Sequence, residues 1–159
     1  MPTNTYTALA TVTLGGSDAD ITFASIPGNY RDLVLVIEGT SNVASNAFLQ
    51  FNGDTTSGNY ANVWAAGNGS SAISGVDGTG TYIGGIYGSN RSINIIQVMD
   101  YSATDKHKTR LTRMSVAGSE VSMIASRWAN TAAVTSMRFT LGANTMSTGT
   151  TLSLYGIAS

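Results

Sequence analysis

Residues 127–159 read RWANTAAVTSMRFTLGANTMSTGTTLSLYGIAS, and apolar side chains fall there at every second position in two runs: Met137, Phe139 and Leu141, then Leu152 and Leu154. Such alternation marks a strand with one face in a core and the other in water. The runs are separated by Gly, Ala, Asn, Ser and Thr, so the segment predicts a closing β-hairpin with a medium-length loop. Its second strand runs into LYGI beside the C-terminus, where a paired strand sealing a sandwich is expected.

The pattern recurs upstream. Residues 5–14 and 21–26 are Thr-rich with β-branched or aromatic neighbours, divided by the turn GGSDAD. After Pro27-Gly28-Asn29, residues 33–37 are an unbroken apolar run whose shortness and β-branching predict a strand buried on both faces. Further strands are predicted at 47–51, 81–87, 92–101, 108–117 and 120–128, with a tight turn at Ala117-Gly118-Ser119. No segment has a helical period, and no repeat or linker divides the chain. The expectation is one all-β domain over residues 1–159, an antiparallel β-sandwich, jelly-roll-like, of about eight to ten strands. Between residues 55 and 80 the periodicity fails and glycine stands at 58, 67, 69, 75, 78 and 80, which predicts an irregular Gly-rich loop.

A chain of 159 residues is long enough to bury a core without cross-links. Charged residues make up 11%, against about 25% in ordinary globular proteins, so hydroxyl and amide groups must supply most of the polar surface. The 42% hydrophobic content, set in alternating runs, argues for packing over disorder. Without cysteine, disulfides, zinc-thiolate centres and thiol nucleophiles are excluded. The N-terminal residues form no signal-peptide pattern and no apolar run approaches a membrane span, so cytoplasmic synthesis is expected and no membrane partner. A net charge of −1 gives no attraction to nucleic acid, which is likewise not expected as a partner.

Residue types that carry catalysis are sparse. His107 is the one histidine and, within DKHKT, reads as a solvated strand-end residue. Asp54, Asp77, Asp100 and Asp105 lie in or beside turns, where aspartate bonds to backbone, and do not read as a carboxylate pair. Gly67-Asn68-Gly69-Ser70-Ser71-Ala72 fits a phosphate-loop pattern but opens no helix. Asp18 and Asp20 lack the further oxygen ligands of a calcium loop. No catalytic residue, cofactor or metal site is therefore expected. Four of the eight basic residues, Lys106, Lys108, Arg110 and Arg113, do cluster. Alternation puts Lys106, Lys108 and Arg110 on one face, expected either as a soluble edge or as a docking stripe for an acidic partner. Trp64 and Tyr60 are expected contact residues of the Gly-rich loop, and Trp128, Phe139 and Leu154 are expected in the core.

The segments SIPGNYRDLVLVIEGT (25–40), LQFNGDTTSGNY (49–60), YSATDKHKT (101–109) and RWANTAAVTSMRFTLGANTMSTGTTLSLYGI (127–157), in this order, resemble small β-sandwich structural proteins of tailed-bacteriophage virions. That group includes capsid decoration or cement proteins and the end domains of tail fibres and spikes. The resemblance implies a non-enzymatic virion protein that contacts the major capsid protein or tail proteins and forms a homo-oligomer, with a trimer favoured. The first predicted strand begins close to Met1, where a fibre would carry an attachment segment or coiled coil, so the head-decoration role is expected ahead of the fibre role. The alternative expectation is a tail accessory that recognises host surface glycan through Tyr60, Trp64, Tyr82 and Tyr87.

Overall fold

The computed structural model describes residues 5–77, 80–88 and 90–158. Among these are twelve strands: β1 (Tyr6–Thr13), β2 (Asp20–Phe23), β3 (Asp32–Gly39), β4 (Ser45–Phe51), β5 (Tyr60–Gly67), β6 (Ala72–Asp77), β7 (Tyr82–Ile86), β8 (Ser92–Met99), β9 (Lys108–Val116), β10 (Glu120–Trp128), β11 (Met137–Thr140) and β12 (Thr151–Ile157). They form two antiparallel sheets packed as a sandwich, one ordered β1-β12-β3-β8-β9-β10-β5-β6 and the other β2-β11-β4-β7.

With the hairpins β5–β6 and β9–β10 set aside, eight strands remain, and they pair first with last: β1 with β12, β2 with β11, β3 with β8, β4 with β7. That nesting, split between two four-stranded layers, is the jelly-roll arrangement. Each of the other two hairpins is an insertion, and both extend the same layer. They pair with one another through β10 and β5, so the larger sheet grows to eight strands while the smaller stays at four.

The core lies where both layers are present. Leu33, Leu35 and Ile37 of β3, Ile96 and Val98 of β8 and Leu152 and Leu154 of β12 face Ala47, Leu49 and Phe51 of β4 and Met137 and Phe139 of β11, each at most 2% exposed. Period-two alternation sends these residues inward from successive strands. The expected core residues Trp128, Phe139 and Leu154 are all buried. Trp128 sits against Phe51 at 5.5 Å between ring centroids and stacks on Tyr60 at 6.4 Å. Its indole N–H donates to Asp54 Oδ2 at 2.7 Å, so the ring is buried without an unpaired donor.

Three sequence expectations need correction. The predicted closing hairpin is no hairpin. β11 pairs with β2 and β4 in the small sheet, while β12 pairs with β1 and β3 in the large one. Residues 141–150 carry the chain across the end of the sandwich, where buried Met146 bridges Asp18 and Ser41. Alternation reveals a half-buried strand but not its partner. Residues 55–80 are also not one irregular loop: they hold a 3-10 turn, Ser57–Asn59, and the hairpin β5–β6. Alanine and glycine in YANVWAAG and AISGVD hide the period there. These two strands raise the count to twelve among the described residues.

Removing the Trp128 ring leaves a cavity between Phe51 and Tyr60, so Trp128→Ala is expected to cost about 3–5 kcal/mol in chemical denaturation. Partial burial raises the Asp54 pKa, but hydrogen bonds from Trp128, Asn59 and Thr56 outweigh it and hold the carboxylate below its ordinary 3.8. Such a group stabilises the fold above its unfolded pKa, and the contribution is lost as pH falls through the folded value. Asp54→Asn should therefore flatten the fall in thermal midpoint between about pH 4 and pH 2 relative to the parent.

Candidate functional site

The basic cluster divides between two faces of β9. Cross-strand register places Lys108, Arg110, Thr112, Met114 and Val116 on the inward side and Thr109, Leu111, Arg113 and Ser115 on the outward side. The expected stripe of Lys106, Lys108 and Arg110 is therefore not a docking surface. Lys108 and Arg110 are buried, and exposed Lys106 lies in the preceding loop, 3.5 Å from Asp100. Lys108 Nζ donates to the carbonyls of Lys106 and Thr131 at 2.8 and 3.1 Å, tying two loops together.

Arg110 is the more unusual of the two. Its guanidinium crosses from the large sheet to the small one, where Nη1 donates to Leu49 O at 2.7 Å and Nη2 to Tyr82 O at 3.4 Å. Nη2 also reaches Asn62 Oδ1 at 3.5 Å, while Nε has no protein partner. Among the described residues no carboxylate pairs with Arg110. Its Cζ stands 5.7 Å from the Phe51 ring centre and 5.6 Å from that of Tyr60, so two aromatic faces offset part of the charge. Burial pushes the guanidinium pKa down to about 10.

The segments that carry the family resemblance meet in pairs around this region. Trp128 binds Asp54, and Asn52, in the left-handed region at φ 52°, accepts bonds from the N–H groups of Thr135 and Ser136 through its Oδ1. At another corner the Tyr101 hydroxyl donates to Pro27 O, and Asp32 accepts from the Asp100 backbone N–H at 3.0 Å and from Gln97. These residues connect distant parts of the fold. Tyr60, expected in a loop contact, is 1% exposed: its hydroxyl donates to Asp54 O and accepts from Phe51 N. Trp64 is half-buried on β5. His107 is exposed, and Asp20 pairs with Arg138 at 2.7 Å. Among the described residues no group of three or more His, Cys, Asp or Glu is placed to hold a metal.

The surface that sequence reasoning missed is the outward face of the overhanging strands. Register aligns Val76, Val63, Ala125 and Leu111 in one row, Ser74, Ala65, Met123 and Arg113 in the next, and Ala72, Gly67, Val121 and Ser115 in a third. Val63, Val76, Val121 and Met123 are each more than half exposed, at 57, 77, 62 and 59%. Strand and row spacings make this face roughly 20 by 20 Å, about 400 Å². The largest apolar patch on a typical monomer is about 300–600 Å² and is often functional. The charges on these rows and the next are Arg113 and Arg127, and neither forms an ion pair among the described residues. Alternation in EVSMIASRW carried the signal, because Val121, Met123 and Ala125 make one face of β10 as apolar as the other.

No family model matches the chain, and no curated protein sequence matches it. Among solved structures, alginate lyase Aly36B aligns over 91% of this chain and 78% of its own at 9% identity, with a TM-score of 0.28. A likeness this weak carries no argument about function.

The division of the basic cluster has a direct test. Lysine cannot span the three acceptors that Arg110 reaches, and Arg110→Lys is expected to destabilise the fold by at least about 2 kcal/mol by leaving buried carbonyls unsatisfied. Arg113→Lys, on the outward face, should stay within about 0.5 kcal/mol of the parent in the same denaturation experiment.

Proposed function

We propose that this chain is a non-enzymatic structural protein of a tailed-bacteriophage virion, a capsid decoration or cement protein that binds and stabilises the head surface as a homo-oligomer, with a trimer the expected form. The observation that carries the reading is the outward face of β5, β6, β9 and β10. A stable specific contact covers about 800 Å² on each partner, so a face of about 400 Å² centred on exposed Val63, Val76, Val121 and Met123 leaves room for a polar rim of ordinary size. An exposed face of this size, within the roughly 300–600 Å² of the largest patch on a typical monomer, is often a functional contact surface. Low charge favours the same reading, since little electrostatic repulsion keeps copies apart.

The ordered resemblance of four segments to virion sandwich proteins supplies the setting. Partner surfaces on the major capsid protein would be apolar with carboxylates placed toward Arg113 and Arg127. Exposed pairs of this kind contribute about 0–1 kcal/mol each and serve register and association rate more than affinity.

Light scattering at micromolar concentration is expected to give a multiple of the 16.5 kDa chain mass, and particles stripped of the protein should bind it again. Met123→Asp places a carboxylate at the centre of the face without touching the core. It should reduce the species to 16.5 kDa and abolish rebinding with the thermal midpoint unchanged. A parent chain that is monomeric and binds no particle would remove the proposal.

A further inference from the structure

The unequal size of the two sheets leaves a step. β7 is the last strand of the small sheet and packs over β9 and β10, so β5 and β6 extend beyond it with their inward face uncovered. A groove of about 320 Å³ lies in this corner. Its floor carries Trp64 and Asp77 from β5 and β6, and its wall carries Asn46 and Phe48 of β4 with Tyr82 of β7. Three aromatic rings, one amide and one carboxylate thus converge on a space at the lower end of the small-ligand range, about 300–1,000 Å³.

Trp64 is set there by its neighbour. Its cross-strand partner is Gly75, and a Cβ at that position would stand 2.7 Å from the indole ring. The missing side chain lets the ring pack closely over β6, where it also lines the groove. A flat aromatic face presents the negative side of its quadrupole, which attracts the weakly positive C–H groups on a sugar ring. The hydroxyls at the edge of the same sugar need planar acceptors and donors, which the Asp77 carboxylate and the Asn46 amide supply. Charge narrows the class. Among the described residues no Lys, Arg or His lines the groove, so nothing there attracts phosphate esters, nucleotides or uronic acids.

We propose that this groove binds a neutral saccharide, with Trp64 as the stacking platform and Asp77 and Asn46 as hydrogen-bonding partners of its hydroxyls. The site goes beyond the assembly role and is separable from it: Trp64 lies on the inward face of β5, whereas Val63 and Ala65 lie on the outward one. A saccharide could therefore be held while the opposite face is covered by a neighbouring subunit.

The test uses the full chain and three neutral probes, maltohexaose, cellohexaose and chitohexaose, each titrated to about 10 mM by isothermal calorimetry, with decaproline as an aromatic-docking control. At least one hexaose is expected to bind with a millimolar or smaller dissociation constant. It should also shift tryptophan emission, which reports Trp64 because Trp128 is 2% exposed. Trp64→Ala should weaken that binding about tenfold or more, a difference well resolved at these concentrations. Asn46 is exposed, so Asn46→Ala keeps the test valid if the tryptophan variant folds poorly, and it should weaken binding severalfold. The proposal is overturned if none of the three hexaoses binds, if binding is unchanged in both variants, or if decaproline binds in their place. Met123→Asp should retain saccharide binding, so failure of the groove and failure of the assembly face are distinguishable.

Discussion

One buried cation joins the two layers of this molecule. Arg110 leaves the large sheet, packs against the rings of Phe51 and Tyr60, and donates to carbonyls on β4 and β7 of the small sheet. Both acceptors lie beside the point where the β4–β7 ladder shifts register, between Ala47 and Phe48. A guanidinium suits the position better than any apolar side chain, since one planar group reaches several acceptors at once. Desolvation opposes the arrangement, as the lowered pKa records. Aromatic faces and carbonyl oxygens offset that penalty in place of a carboxylate.

From this clamp the unequal layers follow. Arg110 fixes the edge of the small sheet over β9, and the inserted strands β5 and β6 lie outside that edge. The overhang has no covering layer, so one of its faces joins an apolar plane and the other joins a corner lined with aromatic rings. Both surfaces come from the same two insertions. Alternation along β5 divides them, since Val63 and Ala65 serve one and Trp64 the other.

Much of the fold was legible in the sequence because half-buried strands announce themselves by period two. Ten strands, the turn at Gly118 and the inward placement of Trp128, Phe139 and Leu154 followed from that signal. Pairing was not legible. Met137–Thr140 and Thr151–Ile157 alternate like a hairpin, yet each meets a different sheet, because the pattern describes burial and not partnership. The basic cluster failed for a related reason. Lys108 and Arg110 share a face, as alternation required, but Met114 and Val116 share it too and mark it as the inward one. The charges were read as a sign of water, where a carbonyl-lined and aromatic-lined interior also accepts them. In β5 and β6, alanine and glycine suppressed the contrast between faces, and the overhang with both of its surfaces went unseen.

The nested pairing also governs the order in which the molecule can form. Tyr6 lies opposite Ile157 and Asp20 opposite Thr140, so the first two strands have no partner until the last quarter of the chain exists. On a ribosome, β1 and β2 must wait with their edges open. The hairpins β5–β6 and β9–β10 pair locally and can form early. Folding dominated by such distant pairings belongs to the slow, millisecond-to-second class. During that interval the apolar overhang is already present while the strands that complete the sandwich are still unpaired, and crowding by sister chains is then most hazardous.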